Sequence, residues 1–418
     1  MDRETLRHIV IQQRDWAFRK EVMVRRDVLG SILEWFDDKR IIILTGVRRS
    51  GKSTILRQLM SEKKGYSYVS FEDERFIDFK AQDFEMLNES LIEVYGDAGL
   101  YFFDEIQNID KFETFVRRLQ DQGKKVVITG SNASLLSKEL GTRLTGRYKS
   151  FEVYPFSFSE FLRFRGVMWT KDWFFLTPRK VELARLFDEY LLKGGFPEYL
   201  KNGDIDYVRT IYENIIYRDI IARYSIKRQR ILKELVGILA SNISAKITYN
   251  SLKETLGLSN AVTVKEYVSY LSNSYMVFEV PRFDYSLRRQ LASPKKIYLV
   301  DPSFHQVAAV SFSDDKGRVM ENLVFLELKR RKKEVYYFSG ESECDFIMKD
   351  GKNIEIAIQV CYKMDASNKE REIAGLREAM ESLDIKRGII LTRDLDEEMI
   401  VGRKKVKVMS VWRWLLSG

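Results

Sequence analysis

The clearest candidate for a ligand-binding or catalytic segment is GVRRSGKST, at positions 46–54. It fits the pattern GxxxxGK[ST] and lies directly after an aliphatic strand pattern, IIILT, and before a helical one, ILRQLM. Glycines let successive backbone amides point at a phosphate, the lysine reaches the β- and γ-phosphates, and the following hydroxyl binds Mg²⁺. The pattern predicts a site for ATP and Mg²⁺ formed by Gly46, Val47, Arg48, Arg49, Ser50, Gly51, Lys52, Ser53 and Thr54.

A second segment, LYFFDEIQ (100–107), contains an apolar strand pattern that ends in two acids. We predict that Asp104 completes the Mg²⁺ site with Ser53, and that Glu105 polarises the attacking water as a general base. An apolar run ending in Asp-Glu is common by itself. Because this one follows the phosphate loop at the spacing of one helix and one strand, it predicts hydrolysis of ATP and not binding alone.

The next strand pattern, KVVITGSN (125–132), ends in polar residues that would contact the γ-phosphate or position the water. We favour Ser131 for this role, with Asn132 second. Arg143 and Arg147 follow, and either would suit an arginine finger, which stabilises the charge of the transition state. An arginine that only caps or ion-pairs a helix explains each of them as well, so both interpretations stay open.

Short aliphatic strands alternate with helical patterns from residue 22 to residue 155. Strands that are apolar on both faces and separated by helices predict a parallel sheet covered by helices, and therefore an α/β fold. The strand patterns are RIIILTG (40–46), GYSYVSFED (65–73), GLYFFDE (99–105) and KVVITGS (125–131).

The remainder of the chain has three kinds of pattern. Residues 156–224 are mostly helical and aromatic, interrupted at Gly194-Gly195-Phe196-Pro197. Residues 231–300 indicate helices followed by two short strands. The last hundred residues mix helix and strand around a hairpin, CDFIMKDGKNIEIAIQV (344–360). With 418 residues the chain is too long for one ordinary core, so two to four domains are expected.

These motifs together resemble the AAA+ or STAND-type P-loop ATPases of archaea and bacteria that carry a long C-terminal region of unknown function. The resemblance covers nearly the whole chain and depends on GVRRSGKST, FFDEIQ, ITGSNASLL, LTGR (144–147), YPFSFSEFL (154–162), GGFPEYL (194–200) and ENLVFLELKRR (321–331). It implies a P-loop core with an N-terminal helical lead-in (1–155), a helical lid (156–225), a winged helix (226–317) and a small α/β restriction-endonuclease-like domain (318–418).

Positive charge is concentrated in the middle of the chain. Of the net charge of +9, residues 221–333 hold 20 basic against 10 acidic side chains, whereas residues 1–220 hold 36 against 35 and residues 334–418 hold 14 against 16. Such an asymmetry favours a polyanionic partner for the middle segment. A solvated basic face is the plainer explanation, and charge alone does not separate the two.

Residues 246–280 have the pattern of a helix-turn-helix. One helix is predicted over SLKETLG and a second from Ser259 through Asn273, with strands around MVFEV and KKIYLV. Three basic clusters accompany them: RYSIKRQR (223–230), a wing over RFDYSLRRQLASPKK (282–296), and ELKRRKK (327–333). Recognition helices enter the major groove and basic wings hold phosphates, so we predict binding of double-stranded or branched DNA. A winged helix that docks a protein is the alternative.

The resemblance also implies a metal pattern near the C-terminus. Restriction-endonuclease-like cores place an Asp on one strand and [E/Q]-x-K on the next, for Mg²⁺ and for water activation. Asp345 matches the first position, and Glu321 on the preceding helix would be a third acid. Gln359 falls at the second metal position, Cys361 falls where lysine is needed, and Lys363 is displaced. We predict a nuclease fold kept as a binding or structural module, with residual cleavage as the alternative.

Composition excludes several other classes. Hydrophobic residues make up 45% and charged residues 31% of the chain, which is typical of a globular protein. Two cysteines, Cys344 and Cys361, cannot form a disulfide framework, and two histidines, His8 and His305, make a His-ligated metal site improbable. No signal-peptide pattern or membrane-length apolar run is present, so the expected location is the cytoplasm.

Two functions fit these features. The first is an Mg²⁺-dependent ATPase that couples hydrolysis to DNA binding or remodelling, and that forms a homo-oligomer if an arginine finger acts between subunits. The second is a STAND-like switch, in which slow ATP turnover controls a protein partner. DNA-stimulated hydrolysis would favour the first, and a monomer with tightly retained nucleotide would favour the second.

Overall fold

Five strands form the sheet of the N-terminal region: β1 (Ile41–Thr45), β2 (Tyr66–Ser70), β3 (Leu100–Asp104), β4 (Lys125–Gly130) and β5 (Tyr148–Glu152). They lie in the order β2-β3-β4-β1-β5, and every neighbouring pair is parallel. The computed structural model describes residues 1–17, 23–132, 146–309, 315–351, 353–402 and 404–417. The predicted parallel sheet is confirmed. The sequence did not predict β5, because YKSFE is largely polar and only one of its residues is buried.

Alternate residues of the strands feed two separate cores, one on each face of this sheet. Ile41 and Ile43 pack into one core, whereas Ile42 and Leu44 pack into the other. The first core also takes residues from the helices Arg3–Ala17, Phe84–Tyr95 and Phe112–Asp121, and the second takes them from Val28–Leu33 and Lys52–Glu62. A strand buried on both faces has no polar side, which explains its uninterrupted aliphatic sequence.

The chain divides into two compact units. One comprises Met1–Tyr154 with Asn273–Tyr275, and the other comprises Pro155–Ser272 with Met276–Gly418. The second unit begins with helices, which are Phe158–Phe164, Thr177–Lys193, Pro197–Asn202, Ile205–Asn214, a π-helix Ile215–Ala222, and Gln229–Ser241. In the part of the chain that the structure describes, no helix has both the length and the apolar character needed to cross a membrane.

The Gly194-Gly195-Phe196-Pro197 interruption is a tight loop fixed by backbone contacts. The Phe156 N–H donates to the carbonyl oxygen of Gly195 (2.8 Å), and the Gly195 N–H donates to Oδ2 of buried Asp301 (2.7 Å). A Cβ atom at Gly195 would lie 2.4 Å from the carbonyl oxygen of Phe156. Only glycine fits there, which explains this part of the motif.

Asp301 organises this loop, so Asp301→Asn is expected to lower the free energy of unfolding by about 1–3 kcal/mol. Its carboxylate accepts hydrogen bonds from Gly195 and from both the N–H and the hydroxyl of Ser303. An amide turns one accepting oxygen into a donor and loses at least one of these bonds. Urea-induced unfolding measures the difference. Asp384→Asn, at a side chain that is 91% exposed, is the control and should change little.

A three-stranded antiparallel sheet lies in the middle of the second unit, in the order β6 (Lys246–Ile247), β8 (Lys295–Leu299), β7 (Val277–Pro281). The two predicted helices precede β7, at Tyr249–Thr255 and Ala261–Asn273, the second starting two residues later than expected. The segment predicted to be a wing contains a short helix, Leu287–Ala292, with no buried residue.

The C-terminal sheet has six strands: β9 (Glu334–Ser339), β10 (Glu343–Asp350), β11 (Asn353–Val360), β12 (Gly388–Thr392), β13 (Glu397–Val401) and β14 (Lys404–Ser410). Their order is β13-β14-β12-β11-β10-β9, with β11, β12 and β14 parallel and the remaining pairs antiparallel. Helices Lys316–Arg330, Lys369–Ser382 and Val411–Leu415 accompany it. The predicted hairpin is confirmed, because β10 pairs with β11 from Phe346 to Asp350.

Candidate nucleotide site

The loop between β1 and the helix Lys52–Glu62 follows a path that requires glycine. Gly46 has a φ angle of 149°, and a Cβ atom there would lie 2.0 Å from the carbonyl oxygen of Val153. The loop turns back on itself through a hydrogen bond from the Ser50 N–H to the Val47 carbonyl (3.3 Å). It thereby places Lys52 and the next residue at the start of the helix, where backbone N–H groups are available to an anion.

The ammonium group of Lys52 lies inside this loop. Its Nζ atom is 3.1 Å from the carbonyl oxygen of Gly46, 3.2 Å from that of Val47, and 3.3 Å from Oε1 of Glu105. The side chain is only 4% exposed. An ammonium has three donors and no acceptor, and here each donor has an oxygen partner. The site therefore holds a fixed positive charge beside Glu105.

Asp104, the last residue of β3, contacts the start of the same helix. Its Oδ1 atom accepts a hydrogen bond from Oγ1 of Thr129 (2.5 Å), and the hydroxyl of Ser53 hydrogen-bonds to the carboxylate. Burial, followed by the negative charge of Glu105, raises the pKa of Asp104 to about 6. The structure thus brings together Ser53 and Asp104, the two predicted ligands of Mg²⁺.

Glu105 has a left-handed backbone with a φ angle of 49°, which directs its side chain towards Lys52. Its Oε2 atom accepts hydrogen bonds from Oγ of Ser131 (3.0 Å) and from Nε2 of Gln107. Burial alone would raise the pKa of Glu105, but Lys52 and these hydrogen bonds outweigh it and hold the pKa below its ordinary value. Adjacent acids with pKa values shifted in opposite directions are typical of sites where each has a separate role.

Sequence reasoning missed two residues of this site. Thr129 holds both acids, because its Oγ1 atom donates to Asp104 and accepts from the N–H of Glu105 (2.8 Å). Gln107 donates to Glu105 and lies 3.5 Å from Oγ of Ser131. Because β3 and β4 are parallel neighbours, the polar residues at their carboxyl ends meet at one edge of the sheet. That register was the signal that could have identified Thr129.

The other predicted residues of the loop surround this centre. Val47 and Ser50 are buried, Thr54 is half-buried, and the left-handed Arg49 is exposed. The guanidinium of Arg48 forms an ion pair with Glu72. Asn132, the second candidate on the β4 strand pattern, is buried beside Ser131.

A buried arginine that the sequence analysis did not single out supports the loop from behind. The guanidinium of Arg26 donates to the carbonyl oxygens of Ser50 and Tyr154, each at 2.7 Å, and it is 4% exposed. A Cβ atom at Gly51 would lie 2.6 Å from its Nη1 atom. Arg26 therefore joins the phosphate loop to the end of β5, and the φ angle of 98° at Gly51 favours glycine at that position.

Arg147, one of the two arginines proposed as a finger, does not reach the site of its own chain. Arg147 precedes β5, whose first residue pairs with Ile41 at the amino end of β1, and it forms an ion pair with Asp121. The loop follows the opposite end of β1, about 15 Å away at 3.3 Å per residue. The interpretation of Arg147 as a finger within its own chain is therefore wrong, while a role between subunits stays a prediction. Arg143 lies outside the described residues.

The predicted basic wing is only partly exposed. Arg288 is exposed, and Arg289 is exposed but ion-paired with Asp284 (2.9 Å). The ammonium of Lys295 donates to three backbone carbonyls of the preceding helix and turn. Lys296 is 2% exposed, so its assignment to a phosphate-binding surface is wrong.

The acids predicted near the C-terminus do come together. Asp345 on β10 and Glu321 on the helix Lys316–Arg330 share one buried cluster. The side chain of Gln359 accepts from the Asp345 N–H (3.3 Å) and donates to Glu372 (2.8 Å). Burial raises the pKa of Cys361 to about 11, so it stays a neutral thiol at neutral pH.

Three parts of the chain match family models. Residues 38–162 match a model described as an AAA domain, and residues 184–315 and 316–414 match two domains of unknown function. A solved structure described as the Walker-type ATPase PABY2304 of Pyrococcus abyssi is similar at 17% identity, with a TM-score of 0.46, over 69% of this chain and 97% of that chain.

Two relatives match most of the chain. One is an uncharacterized protein, MJ1544, of Methanocaldococcus jannaschii, 34% identical over 438 residues, which cover 100% of this chain and 96% of the relative. The other is an uncharacterized protein of Haemophilus influenzae, 28% identical over 370 residues, which cover 84% and 90%. The N-terminal unit has the AAA-type P-loop domain of ATP-binding proteins. The chain belongs to the family of MJ1544.

Proposed function

We propose that this protein hydrolyses ATP with Mg²⁺ at the loop 46–54. The observation that carries the proposal is the contact of Lys52 with Glu105, whose carboxylate also accepts a hydrogen bond from Ser131. A cation for the phosphates and a carboxylate able to take a proton from water thus lie within one buried site. Such a pair supports hydrolysis, because phosphoryl transfer needs charge stabilisation and an oriented nucleophile.

The residues present fit both ATP and Mg²⁺. The hydroxyl of Ser53 and the carboxylate of Asp104 are hard oxygen donors, the kind that Mg²⁺ prefers alongside phosphate oxygens. Ser50 Oγ is buried and has no hydrogen-bond partner within the described ranges, which suits a phosphate contact. When bound, Mg²⁺ would neutralise charge that develops on the phosphates.

ATP turnover by the purified chain tests this proposal directly. We expect release of phosphate with Mg²⁺ and none with EDTA. Turnover is then repeated with duplex, forked and single-stranded DNA. Absence of Mg²⁺-dependent turnover in a folded chain that binds ATP would overturn the proposal of hydrolysis.

The proposal extends to the arrangement of the chain. We propose that residues 1–155 form the ATPase core, 156–225 a helical lid, 226–317 a winged helix, and 318–418 a nuclease-like domain that does not cleave. The helices Tyr249–Thr255 and Ala261–Asn273 with the sheet β6-β8-β7 support a winged helix. The mixed sheet with its β10–β11 hairpin supports a nuclease-like core.

We also propose that the protein couples ATP hydrolysis to binding of double-stranded or branched DNA, and that the segment 223–230 contacts the DNA. Arg223, Lys227 and Arg228 are exposed in this segment. The second helix of the predicted helix-turn-helix, Ala261–Asn273, instead exposes one basic side chain, Lys265, beside one acidic side chain, Glu266. Exposed basic side chains of this kind favour contacts with DNA phosphates over recognition of the nucleobases. The alternative, a switch acting on a protein partner, would show tightly retained nucleotide and turnover that DNA does not change.

Replacing Arg223, Lys227 and Arg228 together by Gln should weaken DNA binding for every sequence tested. Each lost phosphate contact should flatten the dependence of log affinity on log salt by about 0.9. Binding titrations at several salt concentrations measure both effects. The control replaces Lys171, Lys201 and Lys386, which are exposed in the same unit, and carries the same change in charge. Equal effects in the two triple variants would contradict a specific role for the segment.

A further inference from the structure

A lysine lies at the centre of the acidic cluster in the second unit. The Nζ atom of Lys296, on β8, is 3.0 Å from Oε1 of Glu321, 2.7 Å from Oε1 of Glu343 and 2.9 Å from Oδ1 of Asp345. All three donors of the ammonium thus face carboxylate oxygens. The nuclease pattern predicts a lysine on the strand after Asp345, but the lysine beside Asp345 comes from a strand 49 residues earlier in the chain.

The carboxylates are fixed around this lysine by further contacts. The hydroxyl of Tyr298 donates to Oε1 of Glu321 (2.6 Å), and the N–H of Val360 donates to Oδ2 of Asp345 (2.9 Å). Lys246 forms an ion pair with the other oxygen of Glu343 (2.7 Å) but is 40% exposed. Asp345 and Glu343 thus have their second oxygen engaged elsewhere, whereas Oε1 of Glu321 accepts from both Tyr298 and Lys296. One oxygen of each acid faces a common point, and the ammonium of Lys296 occupies that point.

Such a point is suited to a cation. Carboxylate oxygens are ligands that hard divalent ions prefer, and Mg²⁺ binds them at about 2.0–2.1 Å. In the described part of the chain, no three His, Cys, Asp or Glu side chains are spaced for a metal ion. The observed oxygens lie further out, at distances suited to N–H donors, because the ammonium holds them apart.

We infer that Lys296 is the resident cation of this centre, that it takes the place of a divalent metal ion, and that removing it creates a site for one. Two positive charges cannot share a single buried point, so the native chain binds no Mg²⁺ or Mn²⁺ there. The lysine lies in the segment matched at 184–315 and its acids in the segment matched at 316–414, so it joins the two. This inference does not depend on ATP hydrolysis.

Mn²⁺ binding to the nucleotide-free full chain, followed by electron paramagnetic resonance, tests the inference. Lys296→Met should bind one Mn²⁺ per chain more than the wild type, and Asp345→Asn in that background should abolish the gain. Lys246→Met removes the other positive charge that pairs with Glu343 but leaves Lys296 in place, so it should bind no more Mn²⁺ than the wild type. Any Mn²⁺ bound at the phosphate loop is common to all these proteins and cancels.

Two results would overturn the inference. One is Mn²⁺ binding by the wild type that Asp345→Asn removes, since the metal position would then be open beside the lysine. The other is a folded Lys296→Met chain with no additional Mn²⁺. Because Lys296→Met leaves the buried carboxylates of Glu321 and Asp345 without their cation, which threatens folding, Lys296→Met with Glu343→Gln is tested in parallel. Mn²⁺ should raise the melting temperature of either variant more than that of the wild type. The wild-type comparison stands even where a variant does not fold.

Discussion

Glu105→Gln should bind ATP while its turnover falls by about 10²–10⁴-fold, the usual effect of losing a general base. Glutamine has nearly the shape of glutamate, but it keeps only one of the two oxygens, which in the native side chain accept from Ser131 (Oε2) and from Lys52 (Oε1). It cannot take a proton from water. The native carboxylate can accept that proton because it is ionised at neutral pH, where Lys52 and the neighbouring hydrogen bonds hold its pKa below its ordinary value.

Phosphate release and nucleotide binding have to be measured on the same preparation of this variant. Glu89→Gln is the matched control, because Glu89 lies on the helix Phe84–Tyr95 and its side chain is 50% exposed. It should hydrolyse ATP at the wild-type rate. Turnover of Glu105→Gln at the wild-type rate would contradict the role of Glu105, and loss of ATP binding would show that the carboxylate mainly organises the site.

The parts of the fold that depend on local pattern could be predicted from the sequence. The strand IIILT is aliphatic because both of its faces are buried, and the glycine pattern of the following loop has few alternative conformations. Asp104 and Glu105 follow the same logic, since they end a strand that is apolar throughout. For these residues, neighbours in sequence are neighbours in the structure.

Contacts between distant segments could not be predicted in this way. Thr129 meets Asp104 through the pairing of β4 with β3, Arg26 meets Ser50 across 24 residues of chain, and Lys296 meets Asp345 across 49. No local pattern in the sequence marks these contacts. Arg147 shows the converse error. Its motif is close to the site along the chain, but β5 runs parallel to β1, so the arginine that precedes β5 lies at the wrong end of the sheet.

Lys52→Met should weaken ATP binding by about 10–150-fold. This range corresponds to the roughly 1.5–3 kcal/mol of a hydrogen bond to a charged group, at about 1.4 kcal/mol per tenfold change. Methionine fills much of the space of the buried lysine stem but has no donor for the phosphates. Loss of Lys52 should also raise the pKa of Asp104 and of Glu105, because its positive charge favours the ionised form of both acids.

Calorimetric titration with ATP and with ADP, each with Mg²⁺, separates these effects. A lysine that contacts the β- and γ-phosphates should matter more for ATP than for ADP, so the ratio of the two affinities should fall in Lys52→Met. Lys64→Met, at an exposed position just beyond the same helix, is the control and should bind both nucleotides normally. An unchanged ratio with a general loss of affinity would mean that Lys52 only holds the loop in shape, through its bonds to the carbonyls of Gly46 and Val47.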